Sequence, residues 1–159
     1  EQAEYKSAFA SQSTETIVST LYVNMFGRPA DAAGLLYWVG EINAGRTTLG
    51  AAAINILNGA KDADKVAIDS KVTAATSFTT AIDTTDEIVA YSKAGGTAAA
   101  KVWLGVVTTA ATATSQIAAQ DAVIKAIVDG AVANNVLTNA TDILSGSSFT
   151  APQVYTPGG

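Results

Sequence analysis

Two apolar stripes of helical period flank the segment Gly27-Arg28-Pro29-Ala30-Asp31, and that junction restricts the fold more than any other feature of the chain. Upstream, Ile17, Leu21 and Met25 form one stripe with Val18 and Tyr22 beside it; downstream, Leu35, Trp38, Val39 and Ile42 recur at i, i+3, i+4 and i+7. Between them, Gly27 suits the left-handed residue that ends a helix. Pro29 blocks helical continuation and biases Arg28 toward extended backbone. Asp31 can accept from the backbone N–H groups of residues 33 and 34 and so start the next helix. With Ser13 or Thr14 as the first cap, the segment predicts a helix–turn–helix.

The same punctuation continues along the chain. Residues 3–10 read as the last turns of an earlier helix. Asn43-Ala44-Gly45 closes the second stripe, and a further helix begins at Thr47 or Thr48 and runs through Ile54 and Leu57 to Asn58-Gly59. A long helix from Asp62 to Ile82 follows, with a weaker stripe of Val66, Val72, Ala75, Phe78 and Ile82, flanked by Ile68. Thr84 and Glu87 have capping-box spacing before a short helix through Ile88, Val89 and Tyr91. Gly95-Gly96 is the clearest internal breaker and reads as a hinge between two halves. Val102, Trp103, Val106 and Val107 suggest one helix. A last one spans Ile117 to Val136, with Ile117, Val123 or Ile124, Ile127 and Val128 apolar. Val106-Val107-Thr108-Thr109 has strand propensity, but the flanking Ala runs favour helix. Pro152 and Pro157 exclude helix from the end, where Phe149, Val154 and Tyr155 could anchor the segment on the helical body or open a β domain. The expectation is all-α: a compact multi-helix bundle of short helices with an extended C-terminal tail, divided at 1–60, 61–145 and 146–159.

Composition narrows the function. The chain has 159 residues and is 48% hydrophobic but only 7% aromatic, so its core leans on Ala, Val, Ile and Leu. Charged residues reach 14%, against about 25% in ordinary soluble domains, and such a surface suits contact with copies of itself. Net charge is −5 and the nine Lys and Arg are scattered, which argues against nucleic acid and against a polybasic membrane signal. There is no Cys and no His, which removes the usual triads, thiol nucleophiles and zinc sites. Asp62 with Asp64 and Asp86 with Glu87 are the tight carboxylate pairs. The members of each point apart on a helix and suit helix starts. Asp62-Ala63-Asp64 also lacks the Gly and bidentate Glu of an EF-hand loop, and Gly95-Gly96-Thr97 lacks the spacing and Lys of a phosphate loop. No apolar run approaches the roughly 20 residues of a spanning helix. An enzyme is not expected, and neither catalytic residues, metal ligands nor a cofactor can be named. Absence of Cys fits an exported protein, and Glu1-Gln2-Ala3 and Pro157-Gly158-Gly159 read as internal to a longer chain.

The residues with chemical character gather in the junction. Leu21, Phe26 and Trp38 have core spacing, whereas Tyr22 and Tyr37 are better placed to reach a surface. Arg28 is expected to pair locally with Asp31 or Glu41. The alternative is a sugar-stacking cleft of Tyr22, Arg28 and Tyr37. Leu21, Tyr22, Phe26, Gly27, Arg28, Asp31, Gly34, Leu35, Tyr37 and Trp38 together resemble a short helical repeat of unknown function found in bacterial secreted proteins, including S-layer proteins and RTX-type exoproteins. The resemblance covers roughly residues 13–60, with Glu4-Tyr5 resembling the end of a preceding copy. The Ala/Thr-rich remainder is similar, by composition, to the helical region that follows such repeats. This implies a secreted structural protein of the bacterial cell surface, exported by a type I system, that self-assembles into an S-layer or filament. The alternative is an anchor that binds lipopolysaccharide or exopolysaccharide. It also implies a homo-oligomer, with calcium held in downstream domains or at assembly interfaces.

Overall fold

The computed structural model describes residues 11–133, and within them lie seven helices and no strand. The fold is all-α, as the periodicity predicts. The expected helix at 3–10 and the expected tail at 146–159 lie outside the described residues.

Helix α1 (Thr14–Phe26) starts where the Ser13 hydroxyl accepts the Thr16 N–H and ends at Gly27, whose φ of 71° is left-handed. Its buried line is Ile17, Val18, Tyr22 and Phe26, with Leu21 and Met25 half-buried beside it. The stripe is thus rotated from the expected one, because the two aromatic rings take the inward positions. Helix α2 (Ala32–Asn43) is capped by Asp31, which accepts the Gly34 N–H at 2.8 Å. Gly45 turns the chain at φ 68° toward α3 (Leu49–Asn58), which Thr48 caps. Val18, Tyr22, Phe26, Val39 and Ile56 form the first core, with Leu35, Trp38 and Ile42 against it.

Helix α4 (Asp62–Ala81) buries Ala67, Ser70, Lys71, Ala74 and Phe78, while Val66 and Val72 stand 46% and 61% exposed. The expected stripe therefore holds in the second half, where Phe78 is buried and Ile82 packs beside it, but not at Val66 and Val72, where the small residues Ala67, Ser70 and Ala74 take the inward positions and let neighbouring helices come close. Helix α5 (Thr85–Tyr91) carries the full capping box of Thr84 and Glu87. In α6 (Ala94–Gly105) the Gly95-Gly96 pair lies inside the first turn and is not a break between halves. A Cβ on Gly96 would stand 2.5 Å from the Ala90 carbonyl oxygen and 2.7 Å from Tyr91 Cα, so this glycine permits close contact of α6 with the end of α5. Residues 106–109 form a connection with Val107 fully buried. Helix α7 (Ala110–Ala133) begins earlier than the expected Ile117, because Thr109 and Thr112 cap its start reciprocally: the Thr112 N–H donates to the Thr109 hydroxyl, and the Thr109 N–H to that of Thr112.

Helix α7 packs on α4, α5 and α6. Ala74, Phe78, Ala90, Trp103, Val107, Ala113, Ile124 and Ile127 form the second core there. Its buried polar groups are paired: the Trp103 indole N–H donates to the Gln116 carbonyl at 3.1 Å, and the Gln116 amide returns a bond to the Trp103 carbonyl at 2.7 Å. Helix α4 belongs to both cores, through Ile68 to the first and through Ala74 and Phe78 to the second.

Candidate functional site

The α1–α2 corner is held from inside. Tyr22 is 8% exposed and meets Phe26 edge to face, ring centroids 5.5 Å apart. It does not reach the surface as its spacing had suggested. Because the ring points inward toward α2, Gly34 has to be small: a Cβ there would lie 3.1 Å from the Tyr22 hydroxyl oxygen. Gly27 is constrained twice, by its left-handed φ and by the Thr108 methyl, which occupies the place a side chain would take.

Arg28 departs from the expected local pairing. Its Nε and Nη2 grip Asp64 bidentately at 2.8 and 2.6 Å, and Nη1 donates to the Pro29 carbonyl at 3.0 Å. The guanidinium carbon lies 5.7 Å from the Tyr22 ring centroid and 5.8 Å from that of Phe26. The bond to Asp64 raises the Arg28 pKa above its ordinary value. Glu41 binds Arg46 instead, at 2.7 Å, and this bond holds its carboxyl below the usual carboxylate value. The Gly34 N–H does the same for Asp31. Asp31 is therefore a cap, as its position predicts, with Arg28 acting on it only as a nearby charge.

The structure brings Tyr22 and Arg28 together, whereas Tyr37 stands 58% exposed, edge-on to Trp38 at 4.9 Å. Leu21, Leu35 and Trp38 are half-buried against the first core. Two partners escaped the sequence reading. Asp64 was visible as half of a carboxylate pair, but its spacing gave only a helix-start role. Thr108 carried no signal at all. Among the described residues, no three acidic side chains gather at one point. None of the helices described is long and apolar enough to cross a membrane.

Residues 1–62 match a domain of unknown function (DUF4214). The match contains the whole corner and α1–α3, and stops two residues before Asp64. The arginine of the matched domain is thus tied to the helix that follows it. No curated protein and no solved structure matches the chain.

Proposed function

We propose that the chain is a non-enzymatic structural module of a secreted bacterial surface protein that self-assembles into an S-layer or extracellular filament. One contrast supports this reading. Arg28, Asp31 and Asp64 of the corner are engaged in internal bonds, while every helix from α1 to α6 leaves a large aliphatic side chain in solvent: Val23, Leu36, Ile54, Val72, Ile88 and Val102. Leu36 and Val102 are the most open, at 73% and 74%. On a surface with few charges to repel neighbours, such side chains favour association. In this reading the module works outside the cell, after type I export, with calcium held at assembly interfaces or in downstream domains.

Electron microscopy and sedimentation of the protein carrying Leu36→Glu and Val102→Glu test the reading. Assemblies should be lost while helicity by circular dichroism is retained. Polymers that persist after this whole region is deleted would overturn it. Anchoring to lipopolysaccharide or exopolysaccharide is the second reading, favoured by Tyr37, an exposed ring seated on Trp38. Tyr37→Ala should then release the protein from lipopolysaccharide-bearing cells, and undiminished retention would count against it.

A further inference from the structure

Between the first half of α4 and the start of α7 lies an open groove of about 330 Å³, at the small end of the range for small-molecule sites. Ser70 and Ala113 form its floor, 7% and 4% exposed, and Val66 and Ile117 give it an apolar wall. Asp69, Thr73 and Thr114 stand exposed at its mouth. Buried hydroxyls are ordinarily paired, yet the Ser70 side chain makes no hydrogen bond among the described residues. We propose that this groove binds a neutral sugar ring, a single hexopyranose unit, with the Ser70 hydroxyl as the bonding group at its floor. The site belongs to α4 and α7, whereas Tyr37 belongs to α2, and it depends on neither reading given above.

The hydrogen-bonding state of the lining selects this occupant. The Thr73 hydroxyl donates to the Asp69 carbonyl at 2.9 Å, and the Thr114 hydroxyl donates to the Ala110 carbonyl at 3.0 Å. Both are left with acceptor lone pairs only, while Ser70 can still donate and accept. Asp69 adds a carboxylate, but both of its oxygens already receive Lys65 Nζ, at 2.9 and 2.6 Å. That pair leaves the mouth without net charge. A phosphate or carboxylate would meet the Asp69 oxygens, and an ammonium would have to displace Lys65 from them. The lining therefore suits a neutral molecule that carries several hydroxyl donors and an apolar C–H face for Val66, Ala113 and Ile117. A pyranose ring has both, with hydroxyls around its edge and C–H groups on its faces. Water alone would satisfy Ser70 but would leave the apolar wall uncovered.

Titration of the full chain with the methyl α-glycosides of glucose, galactose and mannose, followed by amide NMR shifts, tests this. For ligands of this size the affinity should be on the order of millimolar. With at least one glycoside the shifts should gather in residues 66–73 and 110–117, the two stretches that form the groove. Ser70→Ala should weaken that binding about fivefold, the worth of one hydrogen bond. Its Tm should be unchanged or higher, because an unpaired buried hydroxyl costs stability. Thr73→Leu, which puts an aliphatic side chain across the mouth, should abolish binding with helicity retained. Absence of shifts with all three glycosides up to about 50 mM, well above the expected affinity, would overturn the proposal. So would equal affinity in Ser70→Ala, or tighter binding of lysine methyl ester, which would make the groove an ammonium site. Shifts confined to residues 35–40 would put sugar binding at Tyr37 instead, overturning the groove while leaving the anchoring reading in place.

Discussion

Gly27 and Gly45 have nearly the same left-handed φ, 71° and 68°, but different surroundings. At Gly45 an added Cβ meets nothing within 4 Å, whereas at Gly27 it runs into Thr108. Gly45→Ala should cost about 1 kcal/mol for the backbone alone. Gly27→Ala should cost at least twice that by denaturant unfolding, and equal costs would show that Thr108 yields freely. Three carboxylates held by local partners contribute to the acid response. The Gly34 N–H lowers the pKa of Asp31, the backbone N–H of Thr84 lowers that of Glu87, and Arg46 lowers that of Glu41. Each binds its proton less tightly folded than unfolded. Its stabilisation is therefore complete above the unfolded carboxylate range near pH ~4 and lost as pH falls through the lower folded value. Asp31→Asn keeps an acceptor for the Gly34 N–H but cannot titrate, so its Tm should fall less steeply than the parent's between pH ~5 and ~3. A steeper fall would contradict the assignment. At this scale the sequence discloses what is local. Gly27, Asp31 and Thr84 act on backbone within three or four residues, and spacing reveals them. Asp64 and Thr108 reach the corner from distant parts of the chain, and no spacing encodes that.

Element boundaries follow the same logic, and so do the errors. Caps at Ser13, Asp31, Thr48 and Thr84 start their helices as the sequence predicts. What periodicity misjudges is which face is buried when the seam is made of small residues. On α4 the larger Val66 and Val72 point outward, while Ala67, Ser70 and Ala74 are covered. The same helix carries Lys71, 8% exposed, its ammonium donating to the Leu104 carbonyl at 3.1 Å at the end of α6. Burial lowers the Lys71 pKa, and the ammonium adds a second donor to a carbonyl that already accepts the Val107 N–H at 3.1 Å. A hydrophobicity count reads that position as solvent-facing. Gly95 and Gly96 separate the two meanings of a glycine pair. Gly96→Ala drives a methyl into the backbone of Ala90 and Tyr91 and should cost about 1–3 kcal/mol or more as overpacking. Gly95→Ala meets nothing within 4 Å and should be neutral or stabilising by up to about 1 kcal/mol. If both substitutions were silent in thermal melts, the α5–α6 contact would not be the reason for the pair.

Across the whole molecule, the question is whether the two cores are one folding unit. The matched domain stops at residue 62, and the sequence suggests a division near residue 60. Helix α4 begins at that boundary, yet it contributes Ile68 to the first core and Ala74 and Phe78 to the second. The corner adds two ties across the same line, Arg28 to Asp64 and Gly27 against Thr108. A rigid helix shared by two cores cannot remain folded at one end once the other has lost its partners without exposing its buried small-residue seam. The cores should therefore unfold together. The two Trp residues make this measurable, since Trp38 sits against the first core and Trp103 inside the second. In Trp103→Phe the fluorescence reports the first core, and in Trp38→Phe the second. Within each variant, the fluorescence transition in denaturant should coincide with loss of helicity by circular dichroism, as two-state unfolding requires. Comparison inside one variant removes any stability change the substitution itself brings. A first-core transition separated from the helicity curve by more than about 0.5 M urea, roughly 1 kcal/mol at ordinary slopes, would show that α1–α3 fold independently of the helices that follow.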